Sequence, residues 1–155
     1  MESYQFNGPS RETMNFDVVV IGAGPAGLST AIRLSQLSKA AGRGLKVAVV
    51  EKGADVGSHI LSGAILDPRA LNELIPDWAS KGAPIVCKVR NEKFQFLGKK
   101  RSLRWPQWLL PKELQHRGCY IVRLGELCKW LGSEAELSGV DIFPGFSASE
   151  VLYRS

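Results

Sequence analysis

Residues 16–27 read FDVVVIGAGPAG, a β-branched run that ends at Gly22 and continues through Gly24 and Gly27. A G-x-G-x-x-G spacing between a strand and a helix leaves the chain few folds to choose from. The first glycine permits a tight turn, the second lets a pyrophosphate approach the backbone, and the third lets the helix lie close against the strand. Downstream, PAGLSTAIRLSQLSKAAG sets Leu28, Ile32 and Leu34 at helical spacing, with Gly42 placed to end the helix. KVAVVE, residues 46–51, reads as a second strand. Together these make a βαβ unit with a parallel sheet, and its first strand reads as buried on both faces.

Glu51 ends the second strand 24 residues after Gly27. A carboxylate there accepts hydrogen bonds from the ribose hydroxyls of an adenosine and repels a 2′-phosphate, which argues against NADP. The helix start supplies unpaired N–H groups and a partial positive charge for the pyrophosphate. FAD and NAD share this fingerprint, so the turn alone does not choose between them. The stretch GSHILSGAILDP, rich in small residues, suits backbone lying alongside a flat ring system.

The chain has 155 residues, enough for one core, with 45% hydrophobic and 23% charged residues, as in folded globular chains. Its formal charge is +5, part of it concentrated in Lys99, Lys100, Arg101 and Arg104. Short basic runs of this kind are usually solvated surface, here a hairpin tip, and no nucleic-acid partner is expected. Cys87, Cys119 and Cys128 lack C-x-x-C spacing, so neither a disulfide framework nor a metal site is expected among them. No apolar run approaches the ~20 residues of a spanning helix, and the first 15 residues read as a polar arm rather than a leader. Farther on, DPRALNELIPDW reads as a short helix with Asp67 as N-cap and Pro68 at N1, EKFQFLGKKRSLRW as a hairpin about Gly98, LGELCKWLGSEAELSG as a helix, and VDIFPG as a strand. The last residues, SASEVLYRS, read as a position within a sheet.

The segments FDVVVIGAGPAGLSTAIRLSQL, GSHILSGAILDPRALNEL and IFPGFSASEVLY resemble the N-terminal part of electron-transfer flavoprotein:ubiquinone oxidoreductases, a resemblance running from about Phe16 to Tyr153. It implies an α/β, Rossmann-like FAD-binding domain of the two-dinucleotide-binding flavoprotein type, incomplete at its C-terminus, over residues 16–155. It also implies an enzyme that passes electrons from reduced electron-transfer flavoprotein to ubiquinone, lying peripherally on the mitochondrial inner membrane or the bacterial cytoplasmic membrane. The family's iron–sulfur cluster is bound by cysteines near the C-terminus of a much longer chain, and this one lacks them. Carried over by position, Gly22, Gly24, Gly27 and the Ala26 amide hold the FAD pyrophosphate, and Glu51 holds the adenosine ribose. Ser62, Gly63 and Ala64 lie near the flavin end, and Arg123 reaches the phosphate and ribose region. The resemblance names no catalytic side chain and no metal ligand in this chain.

HRGCY replaces the family's H-G-N-Y pattern, and WPQWLLP matches poorly. His59 and His116 read as structural or exposed, since electron transfer requires no acid–base pair. Trp105 and Trp108 beside the basic cluster suit a membrane interface. An isolated chain of this length is expected to be inactive. The alternatives are a nucleotide-binding remnant without catalysis and a related FAD-dependent reductase of the geranylgeranyl reductase type, against which GSHILSGAILDPRALNEL argues.

Overall fold

The computed structural model describes residues 13–61 and 63–153. Of the polar arm expected over residues 1–15, the first 12 lie outside the described residues, as does Ser62, and residues 13–15 are exposed and form neither helix nor strand. In chain order the elements are β1 (Val18–Ile21), α1 (Pro25–Ala40), β2 (Val47–Glu51), β3 (Ala64–Leu66), α2 (Arg69–Leu74), β4 (Cys87–Lys88), β5 (Phe94–Leu97), β6 (Ser102–Trp105), β7 (Tyr120–Val122), α3 (Leu124–Leu137) and β8 (Val140–Pro144). Short 3-10 turns occupy Gln107–Leu109 and Lys112–Leu114.

The expected βαβ unit is present. β1 and β2 pair in parallel with Val18 opposite Val47, and β8 extends the sheet in parallel on the other side of β2. Leu28 and Ile32 of α1 are fully buried with Val47 and Val49 of β2 and Val140 of β8. Each such aliphatic side chain contributes about 1.5–3 kcal/mol of burial. Buried positions on α1 also include Ala31, Ser35 and Ser38, and those on α3 include Ala135, small residues that let two helices on one sheet face come close, while Gly132 of α3 makes room for Val56 and Ile142. Ser35 Oγ donates to Ser138 O just past α3, and Leu45 N donates to Ser38 Oγ, so the buried hydroxyls are satisfied.

Two faces of the sheet are not equivalent, which corrects the reading of β1 as buried on both. Val19 and Ile21 are 51% and 66% exposed. Both helices lie on the side of Val47 and Val49. On the other side stands an aromatic group, Phe16 against Phe143 and Phe143 against Phe146, at ring separations of 5.7 and 5.9 Å.

The remaining sheets are small. β7 sits between β3 and β4, antiparallel to both, and β5–β6 is the expected hairpin closed by Gly98 N donating to Arg101 O. α2 starts one residue later than expected: Pro68 is its N-cap, and Asp67 caps from one position back by accepting from Arg69 N and Arg69 Nε. Residues 146–153 form neither helix nor strand and are exposed, so the expected sheet position at SASEVLY is not found.

The third glycine of the turn carries the tightest steric constraint. A Cβ on Gly27 would collide with the carbonyl oxygen of Gly22, which itself has φ +97°. Backbone cannot yield there as a flexible side chain would. Gly27→Ala is therefore expected to lower unfolding free energy by about 1–3 kcal/mol, read as a shift in urea midpoint with unchanged slope; an unshifted midpoint would mean that α1 does not dock this closely. The cysteines give a second check. Cys87 is exposed, Cys119 is half-buried, and Cys128 is buried with its thiol pushed up to about 11 by desolvation. In the folded chain a thiol reagent should label Cys87 at once and Cys128 only on denaturation.

Candidate functional site

The end of β1, the glycine turn and the start of α1 meet the end of β2. Gly22 N donates to Val50 O at 2.8 Å, continuing the β1–β2 ladder into the turn. Gly24 is the N-cap of α1 in an extended conformation, and Pro25 occupies the first helical position. Proline has no N–H and Leu28 N already donates to Gly24 O, so the amides of Ala26 and Gly27 are left as the helix-end donors. No acidic side chain stands in this first turn. The positive end of α1 is thus open to an anion.

Gly24 differs from Gly27 in what its missing side chain makes room for. A Cβ there would meet nothing within 4 Å, and its φ of −80° suits any residue. Neither packing nor backbone geometry in the chain calls for glycine at this position. The space beside it matches the close approach of a diphosphate, so the residues present fit the group that the sequence suggests.

Glu51 reaches back to the turn. Its Oε2 accepts from Ala23 N and its Oε1 from Gly53 N, both at 2.8 Å. The Gly53 amide is the chief reason that its carboxyl lies below its ordinary value of 4.5; partial burial opposes this, and the Ala23 amide and the charges of His59 and Lys52 assist. Each oxygen, having accepted one hydrogen bond, retains capacity for another. Gly53 is buried, and a Cβ on it would lie 2.6 Å from Ser58 Oγ and 3.1 Å from Glu51 Oε1. The clamp between Ala23, Glu51 and Gly53 escaped the sequence reading, although a glycine two residues past the carboxylate is a signal that could have shown it.

The other predicted residues gather on the second sheet. Ala64 pairs with Val122, which brings Gly63 beside Arg123, the N-cap residue of α3. Arg123 is exposed and makes no side-chain cap. The loop ahead of β3 is held against the same helix by two glycines: a Cβ on Gly57 would lie 2.5 Å from Gly125 O, and one on Gly125 would lie 3.0 Å from Gly57 O. The predicted residues therefore form two groups, Gly22, Gly24, Ala26, Gly27 and Glu51 at the sheet end, and Gly63, Ala64 and Arg123 along β3 and β7.

A cavity of about 710 Å³ lies against α1, α2 and α3. Of the glycine turn and helix start only Pro25 lines it, and neither Gly24 nor Glu51 does. It is a mainly apolar groove, walled by Leu34, Leu37, Leu71, Leu74 and Leu127, with Ser29, Thr30, Arg33 and Glu73 among its lining, and it stands apart from the glycine turn and the carboxylate. His59 is exposed and makes no side-chain hydrogen bond among the described residues, while His116 is half-buried and engaged with Glu92. Among the described residues no group of His, Cys, Asp and Glu could hold a metal ion.

The chain is similar to known flavoproteins. The family model described as FAD dependent oxidoreductase matches residues 17–70, the span of the glycine turn, the Glu51 clamp and β3. The mitochondrial electron transfer flavoprotein-ubiquinone oxidoreductase of Dictyostelium discoideum is 59% identical over 94% of this chain and 24% of its own length. The corresponding protein of Pseudomonas aeruginosa is 52% identical over 92% of this chain and 26% of its own. The chain thus spans about a quarter of the length of these relatives. Among solved structures, a flavoprotein/dehydrogenase from Cytophaga hutchinsonii shares 26% identity with a TM-score of 0.58, over 89% of this chain and 32% of that one. The fold is the Rossmann-like one of FAD-dependent oxidoreductases.

Glu51 links the site to pH. Its folded pKa lies below that of the unfolded chain, so its stabilisation is complete above 4.5 and fades as pH falls through the lower folded value. Glu51→Gln leaves one of the two amides without a good acceptor and should cost about 1 kcal/mol at neutral pH. The cost should shrink as pH falls below 4.5 through the lowered folded value, as the native carboxylate is itself protonated. Urea midpoints of both proteins across this range would show the convergence; a pH-independent gap would contradict it.

Proposed function

We propose that this chain, similar over nearly its whole length to electron transfer flavoprotein-ubiquinone oxidoreductases, is the N-terminal part of the FAD-binding domain of such an enzyme. The observation that carries the reading is the open helix end at Gly24 facing a carboxylate already fixed by two backbone amides. The Gly24, Ala26 and Gly27 backbone holds the diphosphate, and Glu51, kept ionised, accepts from the adenosine ribose hydroxyls. Gly63, Ala64 and Arg123 lie toward the flavin end, with Ser62 between the two groups in sequence. When bound, FAD supplies the redox step between reduced electron-transfer flavoprotein and ubiquinone. The residues of this chain position it and exclude a 2′-phosphate. The family's iron–sulfur cluster would take its ligands from outside this chain.

We assign the β5–β6 hairpin and the turn after it to peripheral contact with the mitochondrial inner membrane or the bacterial cytoplasmic membrane. No helix among the described residues is long and apolar enough to cross one. The hairpin is antiparallel with Phe96 against Trp105 at 5.7 Å, and Leu97, Leu103 and Trp108 are 81%, 64% and 80% exposed. Lys99, Lys100, Arg101 and Arg104 stand exposed around the tip. Exposed aromatic and aliphatic side chains ringed by basic ones gain at an anionic lipid surface.

The test is flavin retention. The purified chain mixed with FAD should carry flavin absorbance through gel filtration, and Gly24→Val should weaken binding at least about tenfold, or 1.4 kcal/mol, by filling the diphosphate space. Its melting temperature without FAD should fall only slightly, by the loss of about 1 kcal/mol expected for valine in place of an N-cap glycine, because nothing in the chain lies within 4 Å of the new Cβ. Equal FAD affinity in Gly24→Val would remove the diphosphate from this turn. The same chain, alone with reduced electron-transfer flavoprotein and a soluble quinone, should reduce no quinone.

A further inference from the structure

A second cavity, of about 320 Å³, lies at the base of the hairpin between residues 89–92 and 107–117. Its polar walls come from Arg90, Asn91, Gln107, Gln115 and Arg117, and Trp108 closes one side. Glu92 also lines it, but both its oxygens accept from His116 N at 3.0 Å, and Oε2 lies 3.0 Å from His116 Nδ1. Gln107 Nε2 donates to Glu92 O and Gln115 Nε2 donates to Leu110 O, which fixes both amides to the backbone. Neither arginine has a carboxylate partner among the described residues.

We infer that this pocket takes a phosphate ester, namely the headgroup of an anionic phospholipid. Two guanidinium groups with free donor forks match phosphate oxygens in a way that dispersed lysines do not. The cavity volume lies at the lower end of small-ligand sites and admits a phosphoglycerol headgroup. Trp108 provides the reason to choose a lipid over a free phosphate. It lines the pocket and is 80% exposed, followed by Leu109 at 50%, so an apolar anchor stands directly beside the anion site. A headgroup held by Arg90 and Arg117 leaves its acyl chains level with those side chains. The inference rests on the membrane contact proposed for the hairpin, and adds a defined headgroup site to it.

Vesicles of phosphatidylcholine alone and of phosphatidylcholine doped with phosphatidylglycerol, sedimented with the full chain, provide the test. The chain should bind both and prefer the doped vesicles. Arg90→Gln/Arg117→Gln should lose that preference by about tenfold while keeping its binding to neutral vesicles. The charge-matched Lys99→Gln/Lys100→Gln should retain most of it, and far-ultraviolet circular dichroism should show both variants folded. Equal losses in the two double variants would overturn the site in favour of diffuse attraction. Competition by soluble glycerol phosphate as effective as the doped vesicles would overturn the lipid source. A chain that binds neither vesicle would instead overturn the membrane contact on which the inference rests.

Discussion

Of the described glycines, Gly27 leaves the least room for a side chain: α1 lies over the end of β1 so closely that a Cβ there would collide with the carbonyl of Gly22. This contact fixes where the helix begins relative to the strand. From it follow the burial of Leu28 and Ile32 on β2 and the direction in which the free helix-end amides point. A helix displaced by a methyl group would open the core and turn its amides from the sheet end at once. Stability and binding geometry therefore share one steric cause.

Glu51 uses that fixed geometry. Its carboxylate spans from the Ala23 amide within the turn to the Gly53 amide beyond β2, so turn and strand end hold each other. The same two bonds keep it ionised and orient it. In the proposed role of accepting from ribose hydroxyls, Glu51 is thus arranged before any ligand arrives, which reduces the ordering cost of binding. The hairpin lies in a sheet of its own, and its exposed apolar and basic side chains suit a surface rather than a core.

The βαβ unit was legible because its signals are local: β-branched runs, spaced glycines and a helical period all fall within about one supersecondary unit. The hairpin and α3 were legible for the same reason. β3, β4 and β7 were not. Two or three residues make no strand alone, and these exist by pairing Ala64 with Val122 and Cys87 with Ile121 across long stretches of chain. Burial of β1 was misread because a run of valines is the same whether one face is covered or two. The carboxylate at Glu51 was found from its position, but its donors were not, since a backbone amide carries no letter in the sequence. Asp67 was misplaced by one residue because Pro68 adopts helical dihedrals as the cap itself, leaving the aspartate to bond Arg69 from outside.

The most direct measurement of the central claim is a titration of the nitrogen-15-labelled chain with FAD, followed by amide chemical shifts. The largest changes should fall on Gly24, Ala26, Gly27 and the Glu51–Gly53 segment, with a second set at Gly63, Ala64 and Arg123. Shifts confined to the apolar groove between α1 and α2, or none at saturating FAD, would contradict a diphosphate held at the end of α1.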